Sequence, residues 1–249
     1  MKKAIVIGAG FGGIASAIRL KKKGYEVEII DRCNNIGGRA QFFNIKGYKY
    51  DAGPTIITAP FLLKELFLLH DKRLEDYVTL KPLDVWYRFV YSDGSYFDYE
   101  RSLSNTILNI KKISKEDSES YKLLLEKSKE IYDIAFSKLA DKPFHNLTFM
   151  LKQLPVLLKF RSYESVYKFT SRYLKNEKLR RAFSIQPLLV GGNPFTTTCI
   201  YSLIHYLERA HGVYFAMGGT GRLVNVVPSV VIVVRVGLIW DSIPIGVQE

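Results

Sequence analysis

A glycine-rich turn between two short apolar runs constrains the fold of this chain more than any other feature. Residues 3–8, Lys-Ala-Ile-Val-Ile-Gly, predict a short, fully buried strand because its β-branched residues run on to a terminal glycine. A helix that ends near Gly24 and a second buried strand over residues 26–30 follow. The turn has G-x-G-x-x-G spacing and contains Gly8, Gly10, Gly12 and Gly13. Strand, glycine turn, helix and strand in this order predict a dinucleotide-binding βαβ unit.

Each glycine of the motif has a physical task. Gly8 permits the tight turn, Gly10 lets the backbone approach a pyrophosphate, and Gly13 lets the helix pack closely on the strand. The pyrophosphate then meets the helix N-terminus, where unpaired N–H groups favour anions. Asp31 ends the second strand and is placed to accept hydrogen bonds from the adenosine ribose hydroxyls. Its charge would repel a 2′-phosphate, which argues against NADP.

Two further small-residue segments favour FAD over NAD. Paired glycines in Ile36–Ala40 remove side chains where the backbone must lie against a large flat ligand, and the adjacent arginine can neutralise a phosphate. Asp51–Thr55 supplies another such turn after a strand-like stretch. Each alone is also compatible with an ordinary turn. The residues that these segments add to the predicted FAD site are Gly37, Gly38, Arg39, Gly53, Pro54 and Thr55.

The charge balance points to an anionic partner. The formal net charge is +12, and residues 142–181 contain ten basic and two acidic residues, +8 of that total. Apolar and aromatic residues are interleaved with the basic ones, which favours peripheral binding to an anionic membrane surface. A merely solvated basic face and a nucleic-acid site are the alternatives. No nucleic-acid motif accompanies the charge, so no nucleic-acid partner is expected.

The remaining composition indicates a cytoplasmic protein. An apolar content of 47% and an aromatic content of 13% exclude a disordered chain. Cys33 and Cys199 form neither a metal-ligand spacing nor a disulfide framework, and no metal site is expected. No secretory signal is visible, and no run of ~20 apolar residues predicts a spanning helix.

Local patterns also predict scaffold elements in the middle of the chain. Residues 83–99 predict a hairpin, because Asp93-Gly94 lies between two aromatic-rich runs. A helix is expected to begin near Ser114 and to carry an apolar stripe as far as Leu139.

The segment Ser-Ile-Gln-Pro-Leu-Leu-Val-Gly-Gly-Asn-Pro-Phe at 184–195, followed by residues 200–208 and 212–221, resembles bacterial-type phytoene desaturases. These are FAD-dependent carotenoid desaturases, including those that act on the C30 diapophytoene. The glycine turn, Ile36–Ala40 and Asp51–Thr55 resemble the same family. The resemblance runs from Met1 to about Val224 and corresponds to the N-terminal half of the family.

This resemblance implies an α/β fold: a Rossmann-like FAD-binding domain, incomplete here, with an inserted α+β substrate domain. The substrate domain would form a hydrophobic tunnel reached from the membrane. The implied reaction is stepwise desaturation of phytoene or diapophytoene in carotenoid biosynthesis, with a hydride passing to the flavin and a proton lost from the adjacent carbon. No catalytic residue is assigned. His205 is a candidate base, but a hydrogen-bonded helix histidine is the favoured interpretation.

The sequence after Val224 departs from the family. Residues 226–240 show neither helical periodicity nor the family pattern, which predicts a frameshift or a truncation. The expected organisation is residues 1–70 as the first part of the FAD domain, 71–224 as a substrate and membrane-associating domain, and 225–249 as an aberrant tail. The chain alone is then expected to bind FAD weakly or not at all and to show no desaturase activity. The alternatives are a non-catalytic fragment, half of a split enzyme that needs a C-terminal partner, or another flavin amine-oxidase-like oxidoreductase.

Overall fold

Two separate stretches of sequence make up the first of two units in this computed structural model. The structure describes residues 2–143, 146–229 and 233–236. The first unit contains the residues up to Pro82 and the described residues from Tyr214 onward, and the second unit is Leu83–Val213.

The first unit begins with β1 (Lys3–Ile7), α1 (Phe11–Lys22), β2 (Glu26–Asp31), β3 (Phe42–Ile45), β4 (Tyr48–Asp51), β5 (Ile56–Ile57), α2 (Pro60–Leu68) and β6 (Leu80–Pro82). The second unit contains β7 (Val85–Val90), β8 (Tyr96–Glu100), α3 (Leu103–Ile113), α4 (Lys115–Ile131), α5 (Leu147–Lys159), α6 (Val166–Ser171), α7 (Glu177–Ala182) and α8 (Leu203–His211). The first unit then resumes with β9 (Tyr214–Ala216), α9 (Thr220–Ser229) and β10 (Val233–Val236).

A parallel sheet in the order β1–β2–β10 forms the base of the first unit. In its register Ile5 pairs with Glu28, and Val234 pairs with Ile29. Helix α1 connects β1 to β2, so the predicted Rossmann-like βαβ unit is confirmed. The core beside this sheet is built from apolar residues of α1, β2, α2 and α9, among them Ile14, Ile18, Ile29, Phe67 and Leu223.

The prediction that β1 is fully buried is wrong. Ile5 is 64% exposed and Ile7 is 83% exposed, whereas Ala4 and Val6 pack against the core. Successive side chains of a strand point to opposite faces, and only one face of β1 is covered in the part of the chain that the structure describes. An uninterrupted apolar run therefore misled the burial prediction, although it located the strand correctly.

Two small antiparallel sheets complete the first unit. Strands β3 and β4 form a hairpin in which Phe43 lies opposite Tyr50. Strand β9 lies between β5 and β6, and its Phe215 pairs with both Ile56 and Lys81. This pairing explains why the first unit extends to Pro82 and resumes at Tyr214, whereas the sequence placed the divisions at 70/71 and 224/225.

No break in the fold occurs at residue 225. Helix α9 runs through to Ser229, and Val224 and Val227 are fully buried in it. Strand β10 then lies parallel to β2. Residues 225–229 and 233–236 of the predicted aberrant tail are therefore part of the first unit, and residues 237–249 lie outside the described residues.

The second unit is mainly helical and carries one hairpin. Strands β7 and β8 are antiparallel and joined through Asp93-Gly94, which confirms the predicted hairpin. The Ser114 hydroxyl accepts the Asp117 N–H at 3.3 Å and caps α4, which begins where the sequence predicted. A π-helical turn over Tyr132–Phe136 follows, so the α-helix ends before Leu139. Aromatic side chains fill this core, with the rings of Tyr121 and Phe183 4.8 Å apart.

Candidate dinucleotide-binding site

The glycine turn between β1 and α1 packs as closely as its sequence predicted. A Cβ atom on Gly13 would lie 1.9 Å from the Gly8 carbonyl oxygen, so any side chain there would push α1 away from the strand. Gly8 has a φ of +106°, a backbone conformation that favours glycine, and its N–H donates to the Ile30 carbonyl at 2.7 Å. Both glycines are therefore required by the backbone itself.

One side of this turn is open. Cβ atoms on Gly8 and Gly12 would meet no heavy atom of the described residues within 4 Å. Gly10 is the N-cap residue of α1, no side chain in the described part of the chain caps the helix, and its first turn contains no acidic residue. The N–H groups of that turn and the positive end of the helix dipole are thus available to an anion such as a pyrophosphate.

The second and third predicted segments meet beside the turn. Gly37 forms a parallel bridge with Gly10, and its N–H donates to the Ala9 carbonyl at 2.8 Å. A Cβ atom on Gly38 would lie 3.2 Å from the Gly10 Cα, and one on Gly53 would lie 2.1 Å from the Arg39 carbonyl oxygen. Arg39, Pro54 and Thr55 are exposed. The structure therefore brings together three segments that lie far apart in sequence.

Asp31 has a structural role that the sequence did not predict. Its carboxylate accepts the Ala9 N–H at 2.6 Å and the Cys33 N–H at 2.8 Å, so it fixes the glycine turn to the end of β2. Burial alone would raise the pKa of Asp31, but these two hydrogen bonds, with the nearby Arg32, hold it below its usual value. Each carboxylate oxygen keeps acceptor capacity for a ribose hydroxyl.

Helix α9 contacts two of the three segments of the site. Thr220 donates to the Pro54 carbonyl oxygen at 2.5 Å, and Val224 lies against Gly37. Neither residue was among the predicted site residues, because nothing local in the sequence links them to segments about 170 positions earlier. The only signal was their place in the segment that resembles carotenoid desaturases.

The residues present fit a dinucleotide. The close approaches of Gly10, Gly38 and Gly53 leave a surface of backbone with few side chains, as a large planar ligand requires. An open helix N-terminus and a carboxylate at the end of the second strand complete the set that an adenine dinucleotide uses.

The second unit contains a separate buried polar group. His205 is fully buried; its Nε2–H donates to the Phe183 carbonyl at 2.7 Å, and Gln186 Nε2 donates to its Nδ1 at 3.0 Å. Burial lowers the pKa of His205 to about 4, so the ring is neutral at physiological pH. The preferred interpretation of His205 as a hydrogen-bonded helix residue is confirmed.

Within the described residues, no helix has the length and apolar character needed to cross a bilayer.

Comparison with known proteins agrees with this geometry. The sequence is 44% identical to the phytoene desaturase (lycopene-forming) of Pseudescherichia vulneris over 90% of this chain, and 43% identical to that of Pantoea ananas. The predicted resemblance to phytoene desaturases is thereby confirmed. The match covers 46% of either relative, so the chain spans less than half of their length.

Solved structures agree on the fold. An oxidoreductase from Methanosarcina mazei superposes with a TM-score of 0.59 at 19% identity, over 95% of this chain and 51% of that one. The sequence signature of the family described as "Flavin containing amine oxidoreductase" matches residues 11–227, from the glycine turn to α9. This match agrees with the flavin cofactor that the glycine segments predicted. The chain belongs to the flavin containing amine oxidoreductase family.

Proposed function

We propose that this protein is an FAD-dependent oxidoreductase that desaturates a linear carotenoid precursor, phytoene or diapophytoene. The observation that carries the proposal is the 44% identity to a lycopene-forming phytoene desaturase over 90% of the chain. The glycine-lined site of the first unit supports it, because its open helix N-terminus suits the pyrophosphate of FAD.

The proposed FAD-binding residues would contribute a close approach of the backbone, a positive charge and hydrogen bonds to the cofactor. Glycines of the turn let the backbone lie against the pyrophosphate, and the exposed Arg39 is available to a phosphate charge. Asp31 holds the turn and retains acceptor capacity for the ribose. Bound FAD supplies a flavin ring that can accept a hydride. The complete proposed set is Gly8, Gly10, Gly12, Gly13, Asp31, Gly37, Gly38, Arg39, Gly53, Pro54 and Thr55.

Peripheral membrane binding is part of the proposal, and helix α5 is its proposed contact. None of its residues is buried, and Leu151 is 59% exposed. Exposed apolar side chains recur at intervals of three or four residues, which places them along one side of the helix. These residues are Leu147, Met150, Leu151, Leu154 and Leu158. An apolar substrate that dissolves in lipid makes such a contact useful.

The net charge of residues 142–181 supports the membrane contact less strongly than the sequence suggested. At least seven of its ten basic residues form ion pairs with carboxylates of the chain, as Arg172 does with Glu164 at 3.0 Å. Lys152 and Lys159 lie on α5 itself, where they would face anionic headgroups beside the exposed leucines. The apolar stripe is therefore the stronger argument.

The activity is tested in a chimera. Residues 1–224 of this chain are joined to the part of the Pantoea ananas phytoene desaturase that the sequence match does not reach, and the chimera is expressed in a host that accumulates phytoene. We expect phytoene to be consumed and coloured polyenes to appear on liquid chromatography. The matched control carries Gly13→Ala, which should reduce colour because the added methyl group forces α1 away from the Gly8 carbonyl oxygen. A chimera that is folded and binds FAD yet leaves phytoene untouched would contradict the proposal.

A further inference from the structure

The first residue of α9 is tied to the third segment of the proposed FAD site. Thr220 is 2% exposed, and its Oγ1 donates to the Pro54 carbonyl oxygen at 2.5 Å. Pro54 lies in the turn that precedes β5. We propose that Thr220 is a positioning residue for the cofactor, which holds the turn at residues 53–55 in the conformation that FAD binding needs. This inference rests on the proposed function.

Only one backbone atom of Pro54 can form a conventional hydrogen bond. Proline has no N–H, so its carbonyl oxygen is the one backbone polar atom through which a hydrogen bond can fix it. The residues on either side of it in the turn, Gly53 and Thr55, are exposed. On the N-terminal side, the Ala52 N–H donates to the Gln41 carbonyl at 2.8 Å. The Thr220 hydroxyl therefore fixes the exposed middle of the turn from its buried side.

One helical turn later, α9 fixes the second segment of the site. Val224 is fully buried, and its Cγ1 lies 2.8 Å from the position that a Cβ atom on Gly37 would take. Residues four apart lie on the same face of a helix. Thr220 and Val224 thus present one face of α9 to two site segments, which sets the spacing between the turn at Pro54 and the glycine at 37.

Removal of the Thr220 hydroxyl should release the turn at little cost in volume. Thr220→Val replaces the hydroxyl by a methyl group and leaves the Pro54 carbonyl without its donor. Thr220→Ser keeps the donor. Because an ordered turn costs less to bind than a mobile one, Thr220→Val should weaken FAD binding by roughly five- to tenfold, the worth of one neutral hydrogen bond.

The full chain is compared as wild type, Thr220→Val, Thr220→Ser and Thr170→Val. Thr170 is a matched control: it is fully buried in the second unit, and its Oγ1 donates to the Phe183 carbonyl at 3.2 Å. Three quantities are measured. Flavin fluorescence titration gives the Kd for FAD, visible circular dichroism reports the environment of the bound flavin, and hydrogen exchange without FAD reports the amides of Ala52, Gly53, Thr55 and Ile56.

We expect Thr220→Val to speed exchange at these amides, to raise the Kd and to change the flavin dichroism, while Thr220→Ser stays close to wild type. Thr170→Val should lower stability and leave all three quantities as in the wild type. Unchanged exchange in Thr220→Val would overturn the inference, and so would faster exchange with an unchanged Kd. If the wild-type chain alone bound no FAD, the Kd and the dichroism would be measured on the same variants of the chimera, and a folded chimera without FAD would contradict the proposed function. The exchange rates would still decide whether Thr220 holds the turn.

Discussion

Tyr87 of β7 donates a hydrogen bond of 2.7 Å to Oε1 of Glu208 on α8, 121 residues further along the chain. Glu208 is fully buried, and its other carboxylate oxygen has no hydrogen-bond partner among the described residues. Burial raises the pKa of Glu208 to about 7, although the Tyr87 hydrogen bond and the charge of Arg209 act in the opposite direction. The stability of the second unit should therefore depend on the protonation of this one carboxyl group.

Glu208→Gln should remove the loss of stability that the wild-type protein undergoes as the pH rises through about 7. A folded-state pKa above the ordinary value of 4.5 stabilises the protein fully below pH 4.5, and this contribution is lost as the pH rises through about 7. Relative to the wild type, the variant should gain about 3 kcal/mol of unfolding free energy between pH 5 and pH 8.5. Urea unfolding at a series of pH values measures this difference.

The difference in unfolding free energy between variant and wild type, plotted against pH, also separates the effect of Glu208 from that of His205. The lowered pKa of His205 makes stability rise with pH between about 4 and 6.5, and this effect is common to both proteins. Glu119→Gln, which removes a carboxylate from the exposed side of α4, is the control. A pH dependence for Glu208→Gln no larger than that of Glu119→Gln would contradict the prediction.

Gly13→Ala should destabilise the first unit by about 1–3 kcal/mol, because the added methyl would lie 1.9 Å from the Gly8 carbonyl oxygen and α1 must shift. Gly12→Ala adds the same atom one residue earlier, where no described atom lies within 4 Å, and should fold at least as stably as the wild type. Thermal unfolding of the two variants tests the packing, and equal melting temperatures would show that the turn is looser than described.

Asp31→Asn should weaken the hydrogen bonding that fixes the glycine turn to the end of β2. An amide offers one acceptor oxygen, so either the Ala9 or the Cys33 N–H loses its partner, at about 1 kcal/mol near neutral pH. The pKa of Asp31 is lowered in the folded state, so its contribution is present above its ordinary value of 3.8 and is lost as the pH falls through the folded-state value.

The deficit of Asp31→Asn should accordingly shrink from pH 7 to pH 3 in urea unfolding. Asp141→Asn, which removes one partner of an exposed ion pair, is the control. A deficit that stayed constant down to pH 3 would show that the pKa of Asp31 is the same in the folded and unfolded protein, which would contradict the prediction.

The double variant Leu151→Gln, Leu154→Gln should lose vesicle binding without loss of stability, since both side chains are already exposed. Co-sedimentation with vesicles of phosphatidylglycerol and phosphatidylcholine should show at least about a tenfold weaker association. Leu108→Gln, Leu123→Gln removes the same amount of exposed apolar surface from α3 and α4 and should bind like the wild type. Equal binding of both double variants would exclude α5 as the contact.

Local signals in the sequence were sufficient for much of the fold. The glycine spacing predicted the βαβ unit, Asp93-Gly94 predicted the hairpin, and Ser114 marked the start of α4. Each of these depends on residues within a few positions of one another. The predicted site segments were likewise local turns, and the structure brings Gly10, Gly37 and Gly53 to one place.

Contacts between distant residues were not predictable in this way. Thr220 and Pro54 are 166 residues apart, and the Tyr87–Glu208 pair is separated by 121. The valines after Val224 suit either a helix or a strand, and in the structure Val227 belongs to a helix while Val233–Val236 form a strand. Pairing and burial decide between the two, and neither can be read from a window of sequence.

The exposed face of strand β1 affects the association state of the purified protein. Among the described strands its only neighbour is β2, and Ile5 and Ile7 stand exposed on its uncovered face. A strand that exposes apolar side chains favours association with a second polypeptide. Purified chain is therefore expected to self-associate as its concentration rises, and every FAD titration then measures two coupled equilibria. A dilution series run beside each binding curve will separate them.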